Sequence, residues 1–410
     1  MPKVIVHSSK SVLKNKTTRE NAMIEIIDNK ATISQQFCQQ CGACLAVCRQ
    51  GAITSQRDSK TGLLKIEIDP DKCINCKLCH KVCPANKTSA IENIEEYCKS
   101  KKYLIGHNKD NEIRRKASSG GIARSIIVEG LASGFFDGVY TLKKTDQYPF
   151  AEGCFYTKEN VPTFDDIPNS VYHSVPLNEN MSEIKKCKRL LIVGTSCQLR
   201  SLQAYLKNRC EELYTLCIFC KQQKNFKSSQ FIAKLAKEKI RNFDDIKTYS
   251  YRGDGWPGYC KFNNKKTPWG IAALMPFGKK LWTVPGCDIC GNPFGDNADI
   301  TVLDPWIIHN ANEFGDNLIV THNEKGHDLL KSISCIELKD MGYDVVEKSL
   351  MIGDIKRKNR LINFFRGAEG DKNVIKEGKS FVKKRKRLEC FLEHTPRLPL
   401  IVYRILARII

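Results

Sequence analysis

Two cysteine runs near the N-terminus constrain this chain more than any other feature. The runs share one spacing, C-x2-C-x2-C-x3-C: Cys38, Cys41, Cys44 and Cys48 form the first, and Cys73, Cys76, Cys79 and Cys83 form the second. An iron–sulfur cube needs four thiolates, and in chains with two such runs the fourth cysteine of each run ligates the cube of the other. The two runs must therefore fold around each other.

Pro84 completes the bacterial ferredoxin signature in the second run, whereas Arg49 stands where the first run would carry proline. Proline there does not bind iron, so Arg49 leaves the site intact and adds a charge that can tune its potential. Structural zinc prefers paired C-x2-C knuckles and fits eight cysteines in two runs less well. The spacing predicts two 4Fe–4S clusters, the first on Cys38, Cys41, Cys44 and Cys83, and the second on Cys73, Cys76, Cys79 and Cys48.

Length and cysteine content set the class of protein. The chain has 410 residues, enough for two or three domains, and it carries 20 cysteines. So many cysteines without a cleavable signal peptide predict a reducing, cytoplasmic location and metal ligation. No stretch of about 20 apolar residues occurs, so no membrane-spanning helix is expected.

The net charge of +21 is concentrated near the C-terminus, where residues 351–410 hold 16 Lys/Arg and 6 Asp/Glu. A basic surface attracts nucleic acids, anionic lipids or acidic proteins. Nothing in the sequence resembles a nucleic-acid-binding module, so no nucleic-acid partner is expected. The expected partner is an acidic electron carrier such as a ferredoxin or a flavodoxin.

The C-terminal tail has a pattern of its own. After the basic block Lys383–Arg387 comes an apolar stretch, residues 398–410, in which Arg404 and Arg408 would share one helical face and the isoleucines another. A basic block with an amphipathic helix predicts a peripheral contact with the inner face of the plasma membrane. The alternative is a helix docked on this protein's own core or on a second subunit.

Composition and pattern divide the chain into four segments. We predict a basic, irregular N-terminal lead over 1–30, a ferredoxin-like module with a strand at 62–68 over 31–95, a flavin- and cluster-binding α/β domain over 112–350, and a basic amphipathic region over 351–410. A polar linker is expected at 96–112.

Within the main domain, helical and strand patterns alternate. A helix is predicted after Gly121, a strand over 138–142, a buried parallel strand over the apolar run 190–194, a helix over 198–207 and a strand over 213–219. A second helix–strand unit is expected to lead into the run at 190–194. This alternation predicts an α/β fold with a mixed sheet.

A second set of cysteines lies in this domain. Cys287 and Cys290 form an isolated C-x2-C, and Cys197 and Cys220 each follow an apolar strand. The carboxyl ends of such strands are where α/β sheets gather their ligands. The spacing leaves two interpretations open: a third cluster on these four thiolates, or buried free thiols, which are common in protein cores.

Several stretches in order resemble one family: RRKASSGGIARSIIVEGLASGFFDGVY, NSVYHS, LLIVGTSCQLRSLQAYL, YRGDGWPG and CDICGNPFGDNADITVLDPW. Together they are similar to the beta subunits of coenzyme F420 hydrogenases and dehydrogenases, over roughly residues 31–335. That family includes ferredoxin-dependent reductases of chlorophyll precursors. It also includes bacterial members with an N-terminal ferredoxin module, encoded among polysaccharide-biosynthesis genes.

The resemblance implies an FAD in the main domain beside a third 4Fe–4S cluster on Cys197, Cys220, Cys287 and Cys290. It also implies cofactor contacts from the turn before the first helix and from the residues preceding the first of these cysteines: Ser118, Ser119, Gly120, Gly121, Thr195 and Ser196. From spacing alone the turn suits either a phosphate cradle or a plain helix N-cap. The chain departs from the family where G-T-P-C-Q reads GTSCQ, C-H-G reads CKQ and G-D-x-W reads LDPW.

Lys221, Arg252 and Trp256 are candidate catalytic residues that would hold an anionic substrate or the flavin edge. Arg252 and Trp256 lie in a turn-rich loop, and such loops often form lids. The alternative is a solvated turn with Trp256 packed as core.

These observations predict an iron–sulfur flavoprotein, a ferredoxin- or deazaflavin-linked oxidoreductase. It would pass electrons through 4Fe–4S clusters to FAD and on to an organic substrate, with a surface-polysaccharide precursor as one candidate. The alternative is a non-catalytic electron-relay subunit of a larger hydrogenase- or dehydrogenase-like complex.

Overall fold

The computed structural model describes residues 23–27, 30–86, 90–295, 297–308, 313–368 and 370–409. Most of the predicted N-terminal lead lies outside these residues. Its described end is not irregular, because strand β1 (Ile24–Ile27) pairs antiparallel with β2 (Lys30–Ile33). None of the described helices is long and apolar enough to cross a membrane.

The remaining strands are β3 (Ile53–Arg57), β4 (Leu64–Ile68), β5 (Lys102–Asn108), β6 (Gly138–Lys144), β7 (Ala151–Thr157), β8 (Arg189–Gly194), β9 (Glu212–Ile218), β10 (Tyr249–Ser250), β11 (Tyr259–Phe262), β12 (Lys265–Pro268), β13 (Ile300–Leu303), β14 (Asn317–Thr321) and β15 (Ile336–Met341). The helices are α1 (Ala43–Val47), α2 (Leu78–Val82), α3 (Ile94–Lys99), α4 (Asn111–Lys116), α5 (Ile122–Ala132), α6 (Ser196–Leu206), α7 (Phe226–Leu235), α8 (Trp269–Ala272), α9 (Glu324–Lys331), α10 (Tyr343–Leu350), α11 (Ile352–Phe365), α12 (Lys372–His394) and α13 (Leu400–Ile409).

The N-terminal module repeats one small unit. Each cysteine run enters a short helix, α1 or α2, through a left-handed residue, Gly42 with φ +84° and Lys77 with φ +60°. The hairpin β3–β4 joins the two units, and β4 confirms the predicted strand. Because the two helices contact each other, the two runs fold together as the spacing requires.

An eight-stranded mixed sheet forms the main domain, in the order β15-β5-β14-β13-β9-β8-β6-β7. Strands β13, β9, β8 and β6 are parallel neighbours, while the strands on either side of them are antiparallel. This confirms the α/β prediction. In β8 every residue after Arg189 is buried, because both faces of the sheet are covered, and this burial explains its uninterrupted apolar run.

The predicted linker at 96–112 is wrong. Strand β5 occupies its middle and pairs with both β14 and β15, with Tyr103 and Leu104 buried. The strand reads as polar because side chains near its ends meet distant partners, as His107 does with Asp316 at 2.9 Å. The main domain therefore begins near Lys102 rather than near residue 112. The predicted helix before β8 is also replaced, by strand β7 and a 3-10 helix.

A separate apolar core lies beside the sheet, where β10–β12 pack with α7, α8 and the C-terminal helices. Helix α13 docks there through Tyr403, which is 1% exposed and meets Phe231 edge-on. The docked-helix alternative for the tail is therefore the one the structure shows. Ile401 and Ile405 remain exposed on the outer side of α13, so docking accounts for Tyr403 but not for these two side chains.

Candidate functional site

The structure gathers the predicted ligands of the first cluster, here called group I: Cys38, Cys41, Cys44 and Cys83. Burial raises the pKa of the Cys38 thiol to about 11 and that of Cys41 to about 12. Burial raises the pKa of Cys44 most, and the negative charges that Cys41, Cys38 and Cys83 carry as thiolates raise it further. Thiols from both runs therefore lie close to one another, and their crossed pairing around one cluster stays a prediction.

Group II holds the other four cysteines of the runs: Cys48, Cys73, Cys76 and Cys79. Burial and then the charges of its three partners raise the pKa of Cys79. Its surroundings differ from those of group I, because Cys76 is exposed and Cys48 and Cys73 are half-buried. Group II therefore lies at the protein surface.

Group III is formed by Cys197, Cys220, Cys287 and Cys290 of the main domain. Burial raises the pKa of Cys220 to about 12, and the charges of Cys197 and Cys290 act in the same direction. Burial, Cys220 and Cys197 likewise raise the pKa of Cys287. The four thiols converge because β8 and β9 are parallel neighbours, so the cysteines that follow them share one edge of the sheet.

Groups of four cysteine sulfurs are the donor set that iron–sulfur clusters use. Among the described His, Cys, Asp and Glu side chains, no three are placed to hold a single metal ion. A tetrahedral zinc site would need its sulfurs about 2.3 Å from one point. The residues present fit a four-iron cluster in each group better than a zinc ion.

Group I lies next to both of the other groups. Cys79 of group II, as a thiolate, raises the pKa of Cys44 of group I, so these two groups are neighbours. Burial raises the pKa of Cys197 in group III to about 12, and Cys41 of group I, as a thiolate, acts in the same direction. Groups I and III are therefore neighbours as well. Sequence reasoning missed this contact, because nothing in the spacing says which face of the module meets the main domain.

Hydrogen bonds to backbone carbonyls hold the module against the main domain. Asn178 N donates to the carbonyl of Cys41 at 2.8 Å, Ser201 Oγ donates to Val82 O at 2.8 Å, and Gln39 Nε2 donates to Gly286 O at 3.3 Å. The last bond lies next to a ligand of group III. The contact between groups I and III is therefore fixed by packing on both sides.

Amide donors reach two of the sulfurs. The backbone N and Nε2 of Gln40 lie 3.4 and 3.3 Å from Cys38 Sγ, and the backbone N of Gln223 lies 3.3 Å from Cys287 Sγ. Such bonds favour the thiolate and tune the potential of a cluster bound there. Sequence analysis did not select these glutamines, although both lie within three residues of a predicted ligand.

The predicted phosphate turn, Ser118–Gly121, packs against strand ends. Ser118 Oγ accepts from Ser170 N at 2.8 Å, and Ser119 Oγ donates to the carbonyl of Asp316. A Cβ on Gly120 would lie 2.7 Å from Asn317 N and closer still to the carbonyl oxygen of Gly106. The glycine is therefore required by the sheet, and the hydroxyls of both serines bond within the protein.

Arg252 is a buried structural cation. Its side chain is 0% exposed and pairs with Asp304 at 2.8 Å, while Nε donates to Pro257 O and Nη2 donates to Ser118 O. Burial lowers the pKa of Arg252, but Asp304 and Tyr172 together outweigh burial, so the pKa is raised. The guanidinium lies about 5 Å from three tryptophan rings, those of Trp256, Trp269 and Trp306. Its protein partners replace the anionic substrate that the sequence suggested.

The other two predicted catalytic residues have different partners. Trp256 belongs to the cage around Arg252, with its ring centroid 4.9 Å from that of Trp306. Lys221 lies beside group III, where its Nζ pairs with Asp354 at 3.0 Å and the residue lines a cavity of about 40 Å³ that also touches Cys287.

The two residues before Cys197 have different surroundings. Thr195 caps α6, because its backbone N–H and its hydroxyl both donate to Gln198 Oε1, at 2.9 and 3.0 Å. Ser196 is 1% exposed, and its hydroxyl has no hydrogen-bond partner among the described residues. Of the predicted cofactor-binding residues, Ser196 is the one whose buried polar atom is left unsatisfied.

Comparison with known proteins agrees with this architecture. The family model of the coenzyme F420 hydrogenase/dehydrogenase beta subunit N-term matches residues 103–178, and that of its C terminus matches 187–342. A 4Fe-4S dicluster domain matches 37–87. The first boundary agrees with a main domain that begins at β5.

Two relatives are similar to this chain. One subunit of the F(420)H(2) dehydrogenase of Methanosarcina mazei is 24% identical over 234 residues, which is 55% of this chain and 64% of that protein, less than two thirds of its length. A chain of the F420-reducing [NiFe] hydrogenase complex from Methanosarcina barkeri superposes with a TM-score of 0.45 at 18% identity, over 63% of this chain and 91% of that one. The two beta-subunit models together span more than half of the sequence, so the chain belongs to the family of coenzyme F420 hydrogenase and dehydrogenase beta subunits, with a 4Fe–4S dicluster domain on its N-terminal side.

Proposed function

We propose that the chain is an iron–sulfur electron-relay subunit, which receives electrons at group II and passes them through group I to group III. The observation that carries this proposal is that group I adjoins both of the others: helix α1 contacts α2, and Gln39 Nε2 donates to Gly286 O beside Cys287. Clusters bound in these groups would supply one-electron redox chemistry. The protein itself holds the ligands, buries all four cysteines of group I and leaves group II accessible.

Group II has the surface expected of a docking site for an acidic electron carrier. Ile74 and Leu78 are 63% and 39% exposed beside the exposed Cys76. Exposed cations surround them, and Lys77 and Lys81 have no ion-pair partner among the described residues. Apolar contact at the centre with complementary charge at the rim favours a specific and rapidly formed encounter.

The surroundings of group III favour relay over substrate reduction. The cavity that touches Cys287 holds about 40 Å³, room for a few water molecules but not for an organic substrate. The similar protein of Methanosarcina mazei is a dehydrogenase subunit by its name. We therefore place the electron acceptor on a second protein that docks against the main domain.

Metal analysis of the full chain, purified anaerobically, tests the relay. We expect about twelve iron and twelve labile sulfide per chain, from three four-iron clusters. Cys287→Ala should lower the iron content to about eight, while Cys260→Ala, which removes a buried thiol outside the three groups, should leave twelve. Eight iron in the unaltered chain, unchanged by Cys287→Ala, would remove group III from the relay.

A flavin-dependent oxidoreductase is the second candidate, with FAD passing electrons to an organic substrate such as a deazaflavin or a surface-polysaccharide precursor. The buried, unpartnered hydroxyl of Ser196, one residue from Cys197, favours it. Mass spectrometry of small molecules released from the anaerobic protein decides the matter. A stoichiometric flavin that Ser196→Ala depletes would support this candidate, and protein free of flavin but holding twelve iron would reject it.

A further inference from the structure

One residue of the basic block Lys383–Arg387 differs from its neighbours. Lys383, Lys384, Lys386 and Arg387 are more exposed, whereas the side chain of Arg385 is 15% exposed. Its two terminal nitrogens bind the two carboxylate oxygens of Asp288, at 3.1 and 2.9 Å. Arg385 therefore does not belong to a surface patch.

Asp288 lies between two ligands of group III, Cys287 and Cys290, in the 3-10 turn Pro285–Ile289. Its side chain is 14% exposed. A planar guanidinium that binds a carboxylate through two parallel hydrogen bonds fixes both position and orientation. The pair therefore ties the ligand loop of group III to helix α12.

Further contacts of α12 follow the same face of the helix, four residues apart. Glu389 accepts from Trp282 N at 2.5 Å, and Glu393 accepts from Trp282 Nε1 at 2.8 Å. One turn before Arg385, the ring of Phe381 lies 5.2 Å from its guanidinium. Residues at this spacing share a helix face. Helix α12 thus holds Trp282 and Asp288, on either side of Cys287 in the chain, from outside the region that the family models match.

We infer that Arg385 is a positioning residue for group III, which orients the Cys287–Cys290 loop and neutralises the carboxylate of Asp288 beside the cluster that this loop binds. The inference rests on the proposed third cluster. It assigns to helix α12 a role in setting the redox potential of that cluster.

Arg385 and Asp288 should shift the redox potential of the third cluster in opposite directions. An added electron makes a thiolate-bound cluster more negative, and an uncompensated carboxylate nearby disfavours that electron. Removing Arg385 alone should therefore lower the potential of the third cluster. Removing Asp288 alone leaves the positive guanidinium without its bidentate partner and should raise the potential. A defect of folding alone would not reverse its sign between the two variants.

The test is a redox titration of the anaerobic full chain, followed by electron paramagnetic resonance, with iron measured in parallel. Arg385→Gln should shift the potential of one cluster downwards and Asp288→Asn should shift it upwards. The double variant should return close to the unaltered value. Lys384→Gln removes the same charge from an exposed neighbour and should cause no shift. Arg385→Lys keeps the charge without the planar fork and should restore most of the potential.

Each outcome bears on the inference. If Arg385→Gln loses the third cluster altogether, a fall from twelve iron to eight that Lys384→Gln does not show supports the positioning role. Shifts in the same direction from Arg385→Gln and Asp288→Asn, or equal behaviour of Arg385→Gln and Lys384→Gln, would overturn the inference. Eight iron in the unaltered chain would instead overturn the proposed relay through group III.

Discussion

Gly286 offers a direct test of the contact between groups I and III. A Cβ at this position would lie 2.5 Å from the carbonyl oxygen of Phe37 and closer still to the carbonyl carbon and oxygen of Cys38. Real Cβ contacts essentially never fall below 3.0 Å. All three neighbours are backbone atoms of the loop that enters group I, so no flexible side chain can move aside. Gly286→Ala must therefore push the two loops apart.

Overpacking of this kind costs about 1–3 kcal/mol. Since 1.36 kcal/mol corresponds to a factor of ten, local opening at the contact should become about 5- to 160-fold more frequent. Backbone amide exchange reports such opening segment by segment. Hydrogen–deuterium exchange of the anaerobic protein should therefore accelerate in residues 285–290 and 37–44, and reduction of the third cluster through group I should slow.

Gly270 provides the matched control. It lies in the short helix α8 with no heavy atom within 4 Å of an added Cβ. Alanine is favoured over glycine in a helix, so Gly270→Ala should leave exchange at the contact unchanged. Unchanged exchange in both segments of Gly286→Ala would refute the close packing of Gly286 on Cys38, and with it the adjacency of groups I and III.

Two further predictions concern buried charge. Arg252→Gln leaves Asp304 without its partner and should lower the free energy of unfolding by about 3 kcal/mol in denaturant titrations, whereas the exposed Arg115→Gln should change it by less than about 0.5 kcal/mol; unaltered stability would make Arg252 a candidate substrate ligand again. Burial lowers the pKa of His173, which contacts Tyr251 OH at 2.9 Å, from 6.5 to about 4. The unfolded chain therefore binds this proton first as the pH falls, so stability should be lost between pH 6.5 and 4, and His173→Gln should flatten that loss. An equal slope in both proteins would show that His173 is not responsible.

Local chemistry made a large part of this protein readable from its sequence. Cysteine spacing predicted which thiols share a group, because four ligands on one small cluster leave few pairings open. The apolar run of β8 predicted a buried parallel strand, and Gly121 predicted the start of α5. These signals depend on residues close together in the chain or on a period of the backbone.

Contacts between residues far apart in the chain determined the features that the sequence did not predict. Strand β5 looked like a linker because its partners, β14 and β15, lie more than 200 residues away. From the sequence, Arg252 was a candidate substrate ligand in a turn-rich loop. In the structure, Asp304 and three tryptophans enclose its guanidinium. A charged side chain reveals its role only when its counter-charge and its burial are known, and neither is encoded within a few residues of it.

The C-terminal tail shows most clearly what a sequence pattern cannot predict. Its basic block and apolar helix suit a membrane surface as well as a protein core, because both environments reward the same amphipathic pattern. Docking of Tyr403 and the turn of Arg385 towards Asp288 settled how those residues pack. The spacing of the two runs predicted two groups of thiols and left the third open between a cluster and free thiols. Only the tertiary structure brought Cys197, Cys220, Cys287 and Cys290 together and set group I beside them, because that arrangement depends on which surfaces of two separately patterned units fit together.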